Sequence, residues 1–446
     1  MKNLGQPAWY EAWSVCLQAQ PPALTPSLYQ PTTYVGVMSG TSLDGLDVVS
    51  ARLWWCLQEH RFRCEAVQHA SFEFPDALKA PLLAWQHPES HFTMAALGRV
   101  QHQLTYYTAH CIEEALQQWQ LPKQQIEAVA WHGQTVLHVP SPISDLAVST
   151  PATPTEPPPL WLQTANQRGH TLQLGDGATL AGLLQRQVIH NFRPMDMAFG
   201  GQGAPLVPFF DALFFKPNAG LCCVQNLGGI GNVTVLGGAS PIAFDTGPAN
   251  MMLDGLTQWL FSQPYDTGGA FAAQGSVLAP LLSELQSHPF YQQAPPKSTG
   301  REAFGRHYWQ PLAEASLRTG ASPHDVLATF TYLTAWSIAD AYARWVPLAL
   351  ATSLQQLPPI EQVVLCGGGA YNTTLTQYLK ECLSAKQPQH TPPTLCTMED
   401  FGIANSAKEA LAFACLGWAN VHRLPSSLPS CTGATQAVSL GQVSRY

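Results

Sequence analysis

The sequence predicts an α/β fold made of two similar halves, and three observations lead to this prediction. Each half opens with a strand, a loop of small residues and a second strand. Late in the chain, a further loop of three glycines follows an apolar strand. Strand patterns also alternate with helical patterns, which is typical of α/β domains. We interpret the whole as a duplicated α/β unit.

The first half begins with a predicted strand over residues 33–37 and a second strand over 48–57. Between them lies a polar turn, residues 38–47, so the two strands are expected to form a β-hairpin. The spacing of apolar residues from 90 to 120 predicts a helix. Residues 126–131 are a short apolar run, and they predict a strand that ends at a polar loop.

The second half repeats this plan and adds two helices and a buried strand. Its predicted elements are strands at 221–225, 233–236 and 363–366, a glycine and asparagine loop at 226–232, and helices at 322–350 and 408–421. The last strand runs into three consecutive glycines.

These elements suggest two domains with two additions. We expect residues 1–30, rich in Gln and Pro, to be an irregular extension. The first domain spans 31–218, carries a Pro, Ser and Thr-rich insert at 140–159, and is completed by 418–446. The second domain spans 219–417.

Composition excludes several classes of protein. Hydrophobic residues make up 46% of the chain and charged residues only 11%, with a net charge of -8. Bulk disorder needs the opposite balance, and a duplex nucleic-acid binder needs a basic surface. No apolar run reaches the ~18 residues of a membrane helix, so we expect a soluble protein with no membrane and no nucleic-acid partner.

The cysteines and histidines indicate a reducing compartment and no zinc centre. The 11 cysteines are scattered and form no CxxC pair, and the 15 histidines form no HExxH motif. Residues 1–30 lack the apolar stretch of a secretory signal. We therefore expect mostly reduced thiols and a cytoplasmic protein.

The turn between the first two strands is the first candidate phosphate-binding loop. The chain has no GxxxxGK[ST] motif, and no GxGxxG follows a strand. The amides and hydroxyls of the stretch Ser39, Gly40, Thr41 and Ser42 could instead approach an anion. Asp44 could hold a Mg²⁺ ion that bridges phosphate oxygens. An ordinary hairpin turn is the alternative.

Two glycine loops of the second half are further candidates. Gly228 and Gly229 lie between strands and could also form a tight hairpin turn. The run Gly367-Gly368-Gly369, followed by Asn372, could let a flat group such as adenine lie against the backbone. The alternative for this run is a plain turn from strand to helix.

Asp245 is the candidate general base. It follows an apolar run and precedes a Gly-Pro turn, which would hold a carboxylate rigidly at the edge of a site. The alternative is a helix N-cap for residues 248–259, since Asp and Thr both cap helices well.

A last group of residues could bind the hydroxyls of a sugar. These candidates are His132, Gln134, Thr135, Arg193, Asp196 and Glu409. Because a carboxylate near a helix start also stabilises the helix dipole, Glu409 has a purely structural alternative.

Nine motifs in order carry a family resemblance. They are GVMSGTSLDGLD, HGQTVLH, LGDGATLA, NFRPMDMAFGGQGAPLVPFFD, NLGGIGNVTVL, FDTGPANMMLD, KSTGREAFG, CGGGAYN and FGIANSAKEALAFA. Together they resemble the bacterial anhydro-N-acetylmuramic acid kinase family over residues 34–417. The resemblance implies two RNase-H-like domains of the actin and sugar-kinase type around an ATP cleft.

The resemblance also implies an activity and residue roles. Members convert 1,6-anhydro-N-acetylmuramic acid, ATP and water to N-acetylmuramic acid 6-phosphate in peptidoglycan recycling. By the family pattern, residues 39–44 bind the ATP phosphates and metal, Asp245 is the base, and Glu409 faces the sugar. ATP with Mg²⁺ is expected, no tightly bound organic cofactor is expected, and the family is compatible with a homodimer.

The chain departs from the family pattern at two places on the presumed sugar side. Asn191 stands where the family usually has Asp, and Ala404-Asn405-Ser406 stands where Pro-Ala-Asp is common. Two other functions stay open at this level: a kinase for a related anhydro-sugar such as levoglucosan, and an actin-like ATPase that transfers phosphate only to water.

Overall fold

A computed structural model of the chain describes most of its residues, namely 26–40, 43, 45–85, 91–140, 168–215, 220–350, 358–386 and 391–446. The predictions for Thr41, Ser42 and Asp44, for the extension up to residue 25 and for the insert from 141 to 159 lie outside these residues. None of the helices in the described parts is long and apolar enough to cross a membrane.

The strands run in chain order as follows: β1 Thr32–Met38, β2 Leu46–Cys56, β3 Arg61–Phe72, β4 Ile126–Trp131, β5 Gln134–Val139, β6 His170–Leu174, β7 Val188–His190, β8 Leu221–Leu227, β9 Ile230–Leu236, β10 Ile242–Pro248, β11 Ile360–Cys366, β12 Thr394–Thr397 and β13 Gln442–Ser444.

The α-helices in these ranges are α1 Pro26–Tyr29, α2 Asp76–Trp85, α3 Met94–Gln118, α4 Gly177–Leu184, α5 Arg193–Ala198, α6 Pro208–Phe214, α7 Asn250–Phe261, α8 Ala279–Gln286, α9 Arg301–Phe304, α10 Arg306–Arg318, α11 Pro323–Leu350, α12 Thr373–Lys386, α13 Lys408–Val421 and α14 Pro429–Thr432.

The described residues fall into two compact units. The first unit holds the described chain up to Phe214 and then Ser406–Tyr446, and the second holds Phe215–Asn405. The chain therefore returns to the first unit at Ser406, whereas the sequence suggested residue 418. The reason is that α13 packs against β1, β2 and β4, which makes it a layer of the first unit.

Both units contain the same sheet. In the first unit the strand order is β3-β2-β1-β4-β7, with β13 added at the edge, and in the second it is β10-β9-β8-β11-β12. Each sheet pairs its first three strands antiparallel and its last three parallel. This 3-2-1-4-5 order is the RNase-H-like topology. It confirms the predicted α/β class and its two RNase-H-like units.

Strand β1 shows how the first sheet is covered on both faces. Its central residues form a continuous buried run, as expected for a strand between two helical layers. Val35 and Val37 point to the core that contains α3 and α4. Because successive side chains alternate, Gly36 points to the other face, toward α13.

Gly36 permits a very close approach of helix and sheet. A Cβ at this position would lie 1.9 Å from the carbonyl oxygen of Ala410 and 2.7 Å from the amide of Ala414. We expect Gly36→Ala to destabilise the protein by about 1–3 kcal/mol, since α13 would have to move away from the sheet. Urea unfolding measures this change in free energy.

The matched control for Gly36→Ala is Gly182→Ala in α4. A Cβ at Gly182 meets no atom within 4 Å, and alanine favours a helix interior. This variant should be as stable as the parent or more stable. Equal stability of the two variants would contradict the packing argument.

Two sequence predictions differ from the observed elements. The sequence analysis did not identify β3, a third antiparallel strand that pairs with β2. The loop predicted at 226–232 is much shorter, because β8 extends to Leu227 and β9 starts at Ile230, which leaves Gly228-Gly229 as a two-residue turn.

Candidate active site

Sheet topology gathers the predicted residues at one edge of each sheet. Strands β1, β4 and β7 are parallel neighbours, so the segments that follow them lie side by side at their carboxyl ends. These segments carry Ser39, His132 and Arg193. Ligands of open α/β sheets commonly bind at this edge.

Gln134 braces the first candidate phosphate loop. Its side chain is buried and donates a hydrogen bond from Nε2 to the carbonyl oxygen of Gly40, at 3.2 Å. Ser39, next to Gly40, is also buried. Within the described residues, Oε1 of Gln134 has no hydrogen-bond partner. The side chain of Gln134 therefore holds the loop backbone in place at Gly40.

His132 and Arg193 form a buried pair. Nδ1 of His132 lies 2.8 Å from the carbonyl oxygen of Gly133, so that nitrogen carries the proton. The other nitrogen, Nε2, can then accept from Nε of Arg193 at 3.1 Å. Burial and the guanidinium lower the pKa of His132 to about 3, so the imidazole is neutral and holds Arg193 in place.

Arg193 is oriented toward the next loop as well. Its Nη1 donates to the carbonyl oxygen of Gly203 at 2.8 Å. Burial lowers the pKa of Arg193 to about 10, opposed by the charge of Glu409. Arg193 still carries a full positive charge at neutral pH.

Asp196 is fully buried and uses both carboxylate oxygens inside the protein. Oδ2 accepts from the amide of Gly203 at 2.8 Å, and Oδ1 accepts from Oγ1 of Thr432 at 2.7 Å. Burial raises its pKa, while these two hydrogen bonds lower it. This arrangement fixes the loop that contains Gly203.

Glu409 differs from Asp196 because its side chain is accessible. It lies in the first turn of α13, and no hydrogen bond or ion pair connects it to the described residues. Desolvation by the surrounding protein raises its pKa, Lys408 and Arg193 lower it, and Asp47 raises it. Glu409 is therefore an available carboxylate between charges of both signs.

Thr135 is committed to a neighbouring strand. Its Oγ1 accepts from Nε2 of Gln173 across the β5–β6 hairpin, at 3.3 Å. Asp176, the acid of the motif LGDGATLA, caps α4 by accepting from the amide of Thr179 at 2.6 Å. The side chains of Thr135 and Asp176 therefore both make contacts that stabilise the fold.

The glycine loops of the second unit meet in the same way. β8 and β11 are parallel and end in register at Asn226 and Cys366. A Cβ on Gly367 would lie 2.7 Å from the carbonyl of Leu227, and Gly367 has φ of +82°. Only glycine suits both conditions, so backbone from both loops comes within van der Waals contact.

Three asparagine side chains fix the backbone at and near the two glycine loops of the second unit. Asn250 donates to the carbonyl oxygen of Leu227 at 2.9 Å. Asn405 clamps the peptide groups of Gly367, accepting from its amide and donating to its carbonyl oxygen, each at 2.8 Å. Asn372 accepts from the amide of Leu375 at 2.9 Å and so caps α12.

Asp245 lies within β10 and does not cap a helix. Helix α7 begins only at Asn250, with Ala249 as its N-cap residue, which rules out the capping alternative. The strand pairing is irregular between Asp245 and Gly247, a bulge of the kind that re-aims side chains near active sites.

The carboxylate of Asp245 is anchored by one oxygen and free at the other. The amide of Thr299 donates to Oδ2 at 2.8 Å, and the amide of Asp245 donates to the carbonyl oxygen of Lys297 at 3.1 Å. Oδ1 has no hydrogen-bond partner in the described residues. Burial raises the pKa of Asp245 to about 6, Thr299 and Lys297 lower it, and Glu302 raises it. These are the properties of a general base.

The two departures from the family pattern have local explanations. Asn191 has φ of +54°, a conformation that Asn tolerates, and it donates to Gln442 at 3.2 Å. Asn405 holds Gly367, so it belongs to the glycine loop and not to the sugar side as the sequence suggested. Ser406 is exposed and lies 3.5 Å from Nδ1 of His69.

Sequence reasoning missed the backbone contacts that several residues make at these two sheet edges. Asn250, Lys297 and Thr299 hold the glycine turn and Asp245 mainly through backbone contacts. Their position in quoted motifs was the one available signal, since a backbone contact leaves little trace in residue type.

Comparison with known proteins agrees with these motifs. The family model for anhydro-N-acetylmuramic acid kinase matches residues 32–151 and 158–445. A Bacillus cereus protein of that name is 36% identical over 414 residues, covering 92% of this chain and 98% of its own. A Salinibacter ruber protein of the same name is 37% identical over 416 residues, covering 92% of this chain and 96% of its own.

A solved structure offers a looser comparison. The activator of the 2-hydroxyisocaproyl-CoA dehydratase from Clostridium difficile with bound ADPNP covers 87% of this chain and 94% of its own. Its sequence identity to this chain is 12% and the TM-score is 0.36. The match of the family model and of the relatives over nine-tenths of the sequence is decisive instead: the chain belongs to the anhydro-N-acetylmuramic acid kinase family.

Proposed function

We propose that this protein is an ATP-dependent kinase that opens 1,6-anhydro-N-acetylmuramic acid with water and phosphorylates its 6-oxygen. The products are N-acetylmuramic acid 6-phosphate and ADP, and the role is in peptidoglycan recycling. One observation carries the proposal: Asp245 has one oxygen held by Thr299 and the other free, in surroundings that raise its pKa.

The bonds change in one connected sequence. Asp245 takes a proton from a water molecule, whose oxygen attacks the anomeric carbon. The bond from that carbon to the 6-oxygen breaks, and the 6-oxygen attacks the γ-phosphorus as the bond to ADP breaks. An ordinary glycosidase needs a second carboxylic acid to protonate the leaving oxygen. Here the phosphoryl group captures that oxygen, so one carboxylate suffices.

We propose that small residues and glycines of the family motifs contact the nucleotide. The proposed contacts are Ser39, Gly40, Thr41, Ser42, Gly228, Gly229 and the run Gly367–Gly369. Asn372 supports this set by capping α12. Phosphoryl transfer relies on positioning and on neutralising charge, and backbone amides at glycine can do both.

Magnesium would enter the reaction as part of the nucleotide substrate. The described residues contain no group of three or more His, Cys, Asp or Glu side chains that could hold a metal ion. Mg²⁺ is commonly held by one or two carboxylates and the phosphates themselves. Asp44 is the proposed carboxylate, and the ion would neutralise phosphate charge.

Among the residues of the first unit, we propose different roles toward the sugar. Glu409 and Arg193 offer charges for direct contact, and Gln134 holds the loop at Gly40. His132 orients Arg193. The carboxylate of Asp196 is saturated within the protein, so we now assign it to supporting Gly203 and not to touching the sugar.

The pH dependence of turnover should follow Asp245. Because the base must be ionised to accept a proton, protonation below its pKa of about 6 should stop the reaction. We expect kcat/KM to be flat above about pH 7 and to fall tenfold per pH unit well below 6. Steady-state kinetics from pH 4.5 to 8.5 measure this limb, and a profile flat down to pH 4.5 would contradict the role of Asp245.

Mass spectrometry of the reaction tests the function itself. The purified protein is incubated with ATP, Mg²⁺ and the anhydro-sugar, and the product must gain one phosphate and one water. The relatives' names favour this reaction over the alternatives. Equal or better turnover of levoglucosan, or ATP hydrolysis that needs no sugar, would overturn it.

The homodimer and the cytoplasmic location implied by the family stay predictions. Light scattering coupled to gel filtration measures the mass in solution, and cell fractionation tests the location.

A further inference from the structure

The side chain of Lys297 is a buried cation that the proposed mechanism does not yet use. Its Nζ donates only to the carbonyl oxygen of Phe290, at 3.4 Å, and lies 4.3 Å from the centre of the Phe290 ring and 5.6 Å from that of Trp345. In the described residues no carboxylate lies within ion-pair distance of it. Burying an unpaired ammonium group is costly, so its retention calls for a function.

The backbone of the same segment is fixed to the candidate base. The carbonyl of Lys297 accepts from the amide of Asp245, and two residues later Thr299 donates to the carboxylate. The segment 297–299 thus runs along β10 at Asp245. Lys297 and Asp245 are therefore neighbours through their backbone, and the charge of Lys297 acts on the carboxylate of Asp245.

We propose that Lys297 is a positioning residue for Asp245, supplying a buried positive charge that keeps the carboxylate ionised and ready to accept a proton. The inference rests on the proposed function, because it assumes that Asp245 is the base. The aromatic rings around Nζ keep water away from the charge, which lengthens the reach of its field. An ion pair would instead have neutralised it.

Other charged side chains also affect the pKa values of Lys297 and Asp245. Asp340 raises the pKa of Lys297 and Arg344 lowers it, and both lie on α11. Glu302 raises the pKa of Asp245, which is opposite to the effect of Lys297. Burial lowers the pKa of Lys297 to about 8, while Asp340 and Asp245 raise it. The lysine therefore remains largely charged at neutral pH.

The test is the acid limb of the pH profile of kcat/KM in the full-length protein with ATP, Mg²⁺ and the anhydro-sugar. Lys297→Met removes the charge but keeps an unbranched side chain between Phe290 and Trp345. An opposite charge nearby lowers a carboxylate pKa by about 1–3 units, so we expect the limb to move up by about 1 unit or more. Activity at pH 6 should fall about tenfold relative to pH 8. Lys297→Arg keeps the charge and should keep the limb of the parent.

Lys386→Met is the matched control. Lys386 lies over the Trp336 ring at 5.7 Å and is therefore also a lysine beside an aromatic ring, but it is exposed, pairs with Asp340 at 2.7 Å and has no backbone contact to Asp245. This variant should leave the limb unchanged. If Lys297→Met does not fold, Lys297→Gln carries the same expectation.

An acid limb that stays in place in the uncharged Lys297 variant would overturn the inference, as would an equal loss of activity at every pH. These results leave the proposed function intact so long as Asp245→Asn abolishes turnover. Turnover by Asp245→Asn would instead remove the proposed base itself.

Discussion

Asp245→Asn should lower sugar phosphorylation by about 10²–10⁴-fold while leaving ATP affinity nearly unchanged. Asn cannot take a proton from water, so the nucleophile is not generated. Its side-chain oxygen can still accept the hydrogen bond that Thr299 donates at 2.8 Å in the parent protein. The local structure should therefore survive, and the loss falls on the chemical step. Product formation under saturating substrates and calorimetric titration of nucleotide measure the two parts.

Asp245→Glu provides the control for this loss. It keeps a carboxylate but moves it by one methylene, so it should recover part of the activity, because a misplaced base is still a base. Near-normal turnover of the Asn variant would rule out proton transfer to Asp245. Equal losses in the Asn and Glu variants, with unchanged folding, would indicate that position matters and leave the proton transfer to be shown by the pH profile.

Glu409→Gln should weaken the sugar reaction and spare the nucleotide. A hydrogen bond to a charged acceptor is worth about 1.5–3 kcal/mol, so removing the charge should lower kcat/KM for the sugar by about tenfold or more. The KM for ATP should stay within about twofold. Initial rates with each substrate varied in turn separate these effects.

The structural alternative for Glu409 predicts a different outcome. If its carboxylate only complements the dipole of α13, the Gln variant should lose about 0.3–1 kcal/mol of stability with no kinetic change. Asp76→Asn in the first turn of α2 is the matched control, since Asp76 is also an exposed acid at a helix start. A sugar KM that is the same in both variants and the parent would refute the binding role.

Periodicity predicted three long helices and the central strands well. The predicted helix at 408–421 coincides with α13, and that at 322–350 differs from α11 by one residue. Long elements with one buried face leave a clear pattern. β3 left none, because it is an edge strand whose side chains are mostly half-exposed.

Residue types alone could not assign the roles of the site residues. Asp196 and Glu409 are both acids in quoted motifs, yet one is saturated with hydrogen bonds and the other is accessible. Asn405 was expected near the sugar but clamps Gly367. Such differences depend on partners far along the chain, and no local pattern encodes them.

The turn Gly228-Gly229 also has an electrostatic consequence for α7. Its two carbonyl oxygens accept from the amides of Ala249, Asn250 and Met251, which are the groups that would otherwise point out of the amino end of that helix. The positive end of the α7 dipole therefore already faces peptide oxygens, and these amides are not available to bind an anion. A phosphate bound near this helix would have to accept hydrogen bonds from other backbone amides. Asp245, the acid that precedes the helix, therefore does not compete with the substrate for the amides of the helix.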